Sequence, residues 1–171
     1  MTSPRERLVM LPNLARAAGG AGDRQTFDDA WAEWWSLSSE WQSTPAERLV
    51  ALANLARAAG GAGDRQAFDD AWAEVWSLSS EWHATPDAGP ALLDLARGAA
   101  SLKDWARAER AASAARDVAM RLELGKVLLE AEAVLDSVTR RKALEEAAEP
   151  AGGDEQAETD AMLADLLRSL A

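Results

Sequence analysis

Two glycine-rich runs are the first residues whose types and spacing could carry chemistry. Residues 19–24 and 60–65 both read Gly-Gly-Ala-Gly-Asp-Arg and precede a predicted helix. Backbone amides at a helix N-terminus can bind phosphate, but the lysine and the Ser/Thr of a phosphate-binding loop are missing. Asp23 and Asp64 would also repel an anion while they cap the helices themselves. Both runs are therefore interpreted as connectors between helices.

Carboxylates form a second candidate set, because the cluster Asp28, Asp29 and Glu33 recurs 41 residues later in the chain. A carboxylate-bridged metal pair in a helical bundle would need Glu-x-x-His motifs on facing helices, and the chain has one histidine and no cysteine. That histidine, His83, stands where the other copy of the repeat has Gln42. We therefore expect a solvated acidic face with no catalytic residue, no metal and no cofactor, and a protein that is not an enzyme.

The charge balance excludes further classes of partner. The 171 residues include 18 Lys and Arg against 29 Asp and Glu, which gives a net charge of −11. Nucleic acids and anionic membranes bind basic surfaces, so neither is expected as a partner. No run approaches the roughly 18–20 apolar residues of a membrane span, and the N-terminus lacks a secretory apolar segment. The expected location is cytoplasmic.

A long internal repeat defines the architecture. Residues 5–45 and 46–86 are identical at 34 of 41 aligned positions. The positions that differ are 5/46, 10/51, 12/53, 26/67, 34/75, 42/83 and 43/84. Such identity indicates a duplication that is either recent or engineered, and the sequence does not distinguish the two.

Each repeat predicts two helices. Capping boxes begin at Ser3 and Thr44, each with proline at the first helical position and glutamate two residues after it. Apolar residues then recur at helical spacing until the glycine-rich connector, and an aspartate caps the second helix. Pro12 interrupts the first helix where Ala53 stands in the copy, which predicts a kink or a late start there.

A diverged third repeat is predicted over residues 90–121. Its first helix aligns at an offset of 40, because Asp94 answers Asn54. Its second helix is aligned at an offset of 37, with Trp105 answering Phe68. The difference predicts a connector that is three residues shorter than in the first two repeats.

These features resemble the tetratricopeptide-repeat family, in which W-x2-L-G-x2-Y and A-x3-F motifs occupy the two helices and proline follows. The second repeat carries the resemblance at Leu52, Leu55, Ala56, Ala59, Ala71, Val75 and Pro86. Its period is 41 residues, and we place the residues in excess of the family's 34 in connectors and helix ends. The resemblance implies an all-α fold, a right-handed superhelical solenoid of antiparallel helix pairs.

The resemblance covers residues 4–121, and we expect the remainder to complete the array. The repeats span about 4–44, 45–86 and 87–121, and residues 122–149 predict a degenerate fourth helical pair unless one long helix runs through Gly125. Residues 150–171 predict a linker and a C-terminal capping helix that begins after Asp154 and covers the end of the array. The alternative for that helix is dimerisation.

The eight tryptophans are Trp31, Trp34, Trp35, Trp41, Trp72, Trp76, Trp82 and Trp105. Most follow helical spacing on second helices, so Trp31, Trp72 and Trp105 are expected to be buried between helices. Trp34 has a tryptophan neighbour about 100° around the helix, and Val75 replaces it in the second copy. An exposed hydrophobic contact for a partner or another protomer is therefore the alternative for Trp34.

In the tetratricopeptide family, the first helices line a concave groove that receives peptides. The groove positions carry over to Asn13, Arg16, Asn54, Arg57, Asp94 and Arg97. The lysines of the chaperone-binding subgroup are replaced by Val9, Val50, Ala53 and Leu93. A chaperone-tail clamp is therefore not expected.

The resemblance thus implies a protein- or peptide-binding module, a scaffold or a regulator, and not an enzyme. Guanidinium groups bind carboxylates bidentately, so the partner is expected to bear a carboxylate. The alternative for these arginines is pairing with neighbouring acids on a solvated surface. The alternative function is structural self-association into a homo-oligomer through the tryptophan-rich or the C-terminal helix.

Overall fold

The computed structural model describes residues 3–39, 42–78 and 85–148, and every regular element in these ranges is an α-helix. The helices are α1 (Pro4–Ala21), α2 (Arg24–Ser38), α3 (Pro45–Ala62), α4 (Arg65–Ser77), α5 (Ala88–Ser101), α6 (Trp105–Arg121) and α7 (Gly125–Ala148). The chain divides into two compact parts, Met1–Val138 and Thr139–Ala171. The described residues therefore confirm the all-α prediction.

Complete capping boxes start α1 and α3. The Ser3 hydroxyl accepts a hydrogen bond from the Glu6 amide at 3.3 Å, and the Glu6 carboxylate accepts one from the Ser3 amide at 2.7 Å. Thr44 and Glu47 repeat the exchange at 3.2 and 2.9 Å. The backbone amide at the cap holds the pKa of each glutamate below its ordinary value.

Aspartates cap the second helices and also join successive repeats. The carboxylates of Asp23, Asp64 and Asp104 accept hydrogen bonds from backbone amides three residues later. Arg24 of the first repeat reaches Asp64 of the second at 2.6 Å, and Arg65 reaches Asp104 of the third at 3.6 Å. One ion pair thus recurs at each junction between repeats.

The helices of the first compact part form two layers. In one layer α1 packs on α3 and α3 packs on α5, while α2, α4 and α6 pack on the preceding helix of their own repeat. The layer of first helices continues into α7, because Gly89 of α5 meets Val127 and Arg97 contacts Glu130. Interior helices α3 and α5 bury most of their surface, whereas α1 has no preceding neighbour.

Glycines set the spacing between the first helices. A Cβ on Gly60 would lie 2.7 Å from the Gly98 Cα, and a Cβ on Gly98 would lie 2.7 Å from the Ala56 carbonyl oxygen. Gly19 meets the Ala58 carbonyl oxygen in the same way at 2.5 Å. Since these neighbours are backbone atoms, the three helices approach at a distance that only glycine permits.

The third repeat keeps one offset throughout, so the expected shorter connector is wrong. Its buried second-helix residues Ala108, Ala111, Ala112 and Ala115 follow Phe68, Ala71, Trp72 and Val75 by 40 residues each. Trp105 therefore corresponds to Arg65 and lies at the start of α6. The prediction failed because it matched an aromatic residue to an aromatic residue, whereas the third repeat fills the Phe68 position with alanine.

Residues 122–149 differ from the predicted helical pair. The structure has the single helix α7 across Gly125–Ala148, because neither glycine nor proline interrupts residues 126–148. The late start predicted at Pro12 is also wrong: α1 begins at Pro4 behind its capping box, and the Pro12 ring is buried within the helix.

Several predictions fall on residues outside the described ranges. These are the burial of Trp41 and Trp82, the surface position of His83, and the linker and C-terminal helix after Asp154.

Candidate functional site

One face of the first helices brings the predicted groove residues together. On α1 the face carries Val9, Asn13 and Arg16, spaced four and three residues apart so that they share one side of the helix. The second repeat presents the corresponding valine, asparagine and arginine on α3. The face therefore runs from an apolar end, through asparagines, to a cationic end.

The apolar end is a pocket of about 490 Å³ between α1 and α3. Its walls include Val9, Pro12, Val50 and Ala51, and its polar lining includes Asn13, Asn54, Asp87, Arg5, Glu47 and Thr44. The Asn13 side chain donates a hydrogen bond to the Val9 carbonyl oxygen at 3.2 Å, which leaves its amide oxygen to accept a further one. Sequence reasoning used the valines only to exclude a chaperone clamp and did not identify this pocket.

The cationic end is a pocket of about 620 Å³ that α1, α3 and α5 line together. Arg16, Arg57 and Arg97 contribute one guanidinium from each repeat, and the other lining residues are Ala17, Gly20, Gly61, Ala100 and Ser101. Small side chains between the arginines keep this space open. The structure thus places the three arginines of the predicted ladder around one pocket.

Ion pairs neutralise two of the three arginines. Arg57 pairs with Asp94 of the next repeat, and Arg97 contacts Asp94 at 3.5 Å and Glu130 of α7 at 3.1 Å. Asp94 therefore serves the arginines and is not a free peptide contact. The alternative drawn from the sequence, pairing with neighbouring acids, holds for Arg57 and Arg97.

Arg16 differs from the other two arginines. It is exposed, and within the described ranges it has no acidic partner. The reason lies in the repeat: Asn54 stands where the next repeat has Asp94, so Arg16 meets a neutral amide where Arg57 meets a carboxylate. Arg16 is therefore the guanidinium of this pocket that is available to a ligand.

Trp34 is fully buried, so the exposed contact considered for it is wrong. Its ring lies edge-on to Trp35, with centroids 5.0 Å apart and planes at 87°. The register explains the burial, because Val75 at the corresponding position is buried as well. Trp72 is 7% exposed and fits the predicted core position, whereas Trp31 is only half-buried.

Trp105 is also half-buried, in contrast to the burial predicted for it. At the start of α6 it packs against the edge of the core and does not occupy the interior position of Phe68.

Comparisons of the chain with known protein families, with curated proteins and with solved structures find no match. Within the described ranges, no group of three or more metal-ligating side chains converges. No helix in those ranges is long and apolar enough to cross a membrane.

Proposed function

We propose that the chain is a tetratricopeptide-like helical array that binds a peptide along the face of α1, α3 and α5, without enzymatic activity. The observation that carries the proposal is the open guanidinium of Arg16, on the same face as an apolar pocket. Tandem helix pairs stacked through their first helices support the solenoid arrangement.

The order of groups along α1 suggests the form of the ligand. Val9 and Arg16 are seven residues apart, which is about 10 Å along a helix. An extended peptide advances about 3.3 Å per residue. A peptide lying along α1 would therefore place an apolar side chain about three residues from a carboxylate, with Asn13 and Asn54 available to its backbone.

Selection from a random peptide library displayed on phage tests this proposal without a known partner. Binders to the wild-type chain are expected to share an apolar residue about three positions from Asp, Glu or a free C-terminus. Their affinity should fall as salt rises, because the contact to Arg16 is exposed.

The decisive comparison is between two charge reversals. Arg16→Glu should weaken the selected peptides tenfold or more, whereas Arg57→Glu should weaken them less because Asp94 already pairs with Arg57. Arg116→Glu on α6 makes the same charge change away from both groove pockets and serves as the matched control. Peptides that bind Arg16→Glu and Arg116→Glu equally, or no enrichment at all, would refute the groove.

Self-association is the second candidate, and the edge of the array favours it. Met10 and Leu14 of α1 are 61% and 48% exposed, whereas Ala51 and Leu55 at the corresponding positions of α3 are buried. A second protomer seated on α1 would cover these side chains as α1 covers α3. Light scattering would then show a dimer that Met10→Asp converts to a monomer, and a monomer at all concentrations would exclude it.

A further inference from the structure

The layer formed by α2, α4 and α6 carries a second pocket, on helices that do not line the peptide groove. This pocket, of about 290 Å³, lies between α2 and α4. Its lining residues are Phe27, Asp28, Trp31, Asp64, Gln66, Ala67 and Asp70. It therefore combines two aromatic rings with three carboxylates, the pair of groups that binds an organic cation.

The equivalent space between α4 and α6 is filled by two arginines. The Arg107 guanidinium carbon lies 5.9 Å from the Phe68 ring centroid and 5.3 Å from that of Trp72, and Arg107 pairs with Asp69. Arg110 lies 5.9 Å from the Trp72 centroid. This second junction shows how the same aromatic and acidic side chains hold guanidinium groups.

The repeat makes the two junctions directly comparable. Phe27, Asp28 and Trp31 correspond to Phe68, Asp69 and Trp72 at the offset of 41. On the facing helix, Ala67 and Asp70 correspond to Arg107 and Arg110 at the offset of 40. The pocket is thus the space that two arginine side chains occupy one repeat later, with alanine and aspartate in their place.

The cation already near this pocket does not fill it. Arg24 lies 5.6 Å from the Phe27 centroid and pairs with Asp28 and Asp64 at 2.9 and 2.6 Å. In the described parts of the chain, no cationic group lies over the Trp31 ring. Asp70 is exposed and accepts a hydrogen bond from Gln66 at 3.0 Å. One ring face and one carboxylate are therefore available together.

We propose that the pocket between α2 and α4 binds an arginine side chain of a partner protein. Guanidinium suits it better than ammonium, because its planar group stacks on an indole while its N–H donors reach a carboxylate. The chain's net charge of −11 attracts such a basic partner. The proposal is independent of the groove, which lies on other helices and selects a carboxylate.

The first experiment is an NMR titration of the tryptophan indole N–H signals with Nα-acetyl-arginine amide at constant ionic strength. Saturable shifts are expected for Trp31, with a Kd on the order of 10 mM because one exposed cation–π contact is weak. Trp72, whose ring is already covered by arginines, should shift far less. Nα-acetyl-lysine amide should bind Trp31 at least threefold more weakly. Equal responses of Trp31 and Trp72, or of arginine and lysine, would overturn the proposal.

Two pairs of variants identify the site. The double substitution Ala67→Arg and Asp70→Arg reproduces the filled junction and should weaken the Trp31 response at least tenfold. Asp28→Asn should weaken it several-fold, and Asp69→Asn makes the same change at the filled junction and should leave it unaltered. If the double variant does not fold, the Asp28 and Asp69 variants decide: equal responses in both would reject the pocket.

A second copy of the chain is the competing source of arginine. In that case the Trp31 signal would move with protein concentration in the absence of ligand, and sedimentation would show a dimer. Such a result would overturn the assignment to a partner protein. A concentration-independent Trp31 signal, together with the arginine-selective titration, supports it.

Discussion

Replacing Gly60 by alanine tests the closest contact in the layer of first helices. The added methyl group would lie 2.7 Å from the Gly98 Cα and 2.8 Å from its carbonyl carbon. Ordinary carbon contacts lie at about 3.5–4.0 Å, so the methyl group is roughly 1 Å too close. Both neighbours are backbone atoms of α5, and no side-chain rotation can relieve the overlap.

Two opposing free energies decide the sign of the effect. Alanine is better than glycine in a helix interior by about 1 kcal/mol. Against this, α3 and α5 would have to separate, and a gap of 0.5–1 Å forfeits a quarter to a half of each van der Waals contact along the interface. Overpacking costs typically about 1–3 kcal/mol and occasionally more. We therefore expect Gly60→Ala to lower the free energy of unfolding by about 1–3 kcal/mol.

Urea unfolding followed by circular dichroism at 222 nm measures this change. Gly20→Ala is the matched control, because Gly20 lies near the end of α1 and nothing lies within 4 Å of its added methyl group. That control should be neutral or stabilising by up to about 1 kcal/mol. A Gly60→Ala protein as stable as wild type, or a Gly20→Ala protein equally destabilised, would refute the packing argument.

Three further measurements follow from the same packing and capping. Trp72→Ala should cost about 3–5 kcal/mol in urea unfolding through lost burial and a cavity, and Trp31→Ala should cost clearly less because Trp31 is half-buried; equal losses would contradict the burial difference. Glu47 has a pKa lowered in the folded state, so its contribution is present at neutral pH and is lost as the pH falls through that lowered pKa. Glu47→Gln should therefore be less stable than wild type at pH 7 and close to it in strong acid, which thermal unfolding across pH would detect. Pro12→Ala should raise the unfolding free energy by about 1 kcal/mol or more, because it restores a helical hydrogen bond and Ala53 already occupies the corresponding buried position; a loss of stability would show that the proline ring packs better than alanine.

Much of the fold was predictable because the repeat states the same local signals more than once. The capping boxes at Ser3 and Thr44 fixed the starts of α1 and α3, and the glycine-rich connectors fixed their ends at Gly22 and Gly63, which have positive φ. The third repeat offered weaker signals. There alanines replace the aromatic core, so composition favoured the wrong register while burial, which the sequence does not display, required the offset of 40.

The candidate site was predictable in its positions but not in its charges. Helical phase alone places Arg16, Arg57 and Arg97 on one side of the first helices. Which of them remains available depends on the neighbouring repeat, because Asp94 is close to Arg57 only after α3 and α5 pack. Long-range pairing of this kind is set by tertiary structure, and no spacing within one helix reveals it.

Differences between the two nearly identical repeats become interpretable once the packing is known. Met10 is 61% exposed on the outer edge of α1, whereas its counterpart Ala51 is 7% exposed because α1 covers it. Thr26 is half-buried, and its counterpart Ala67 is buried where α4 follows α2. At both positions the larger side chain stands in the copy that lacks a preceding repeat. The two substitutions therefore follow the junction between repeats, which requires small residues on the covered face and leaves the first repeat free to carry larger ones.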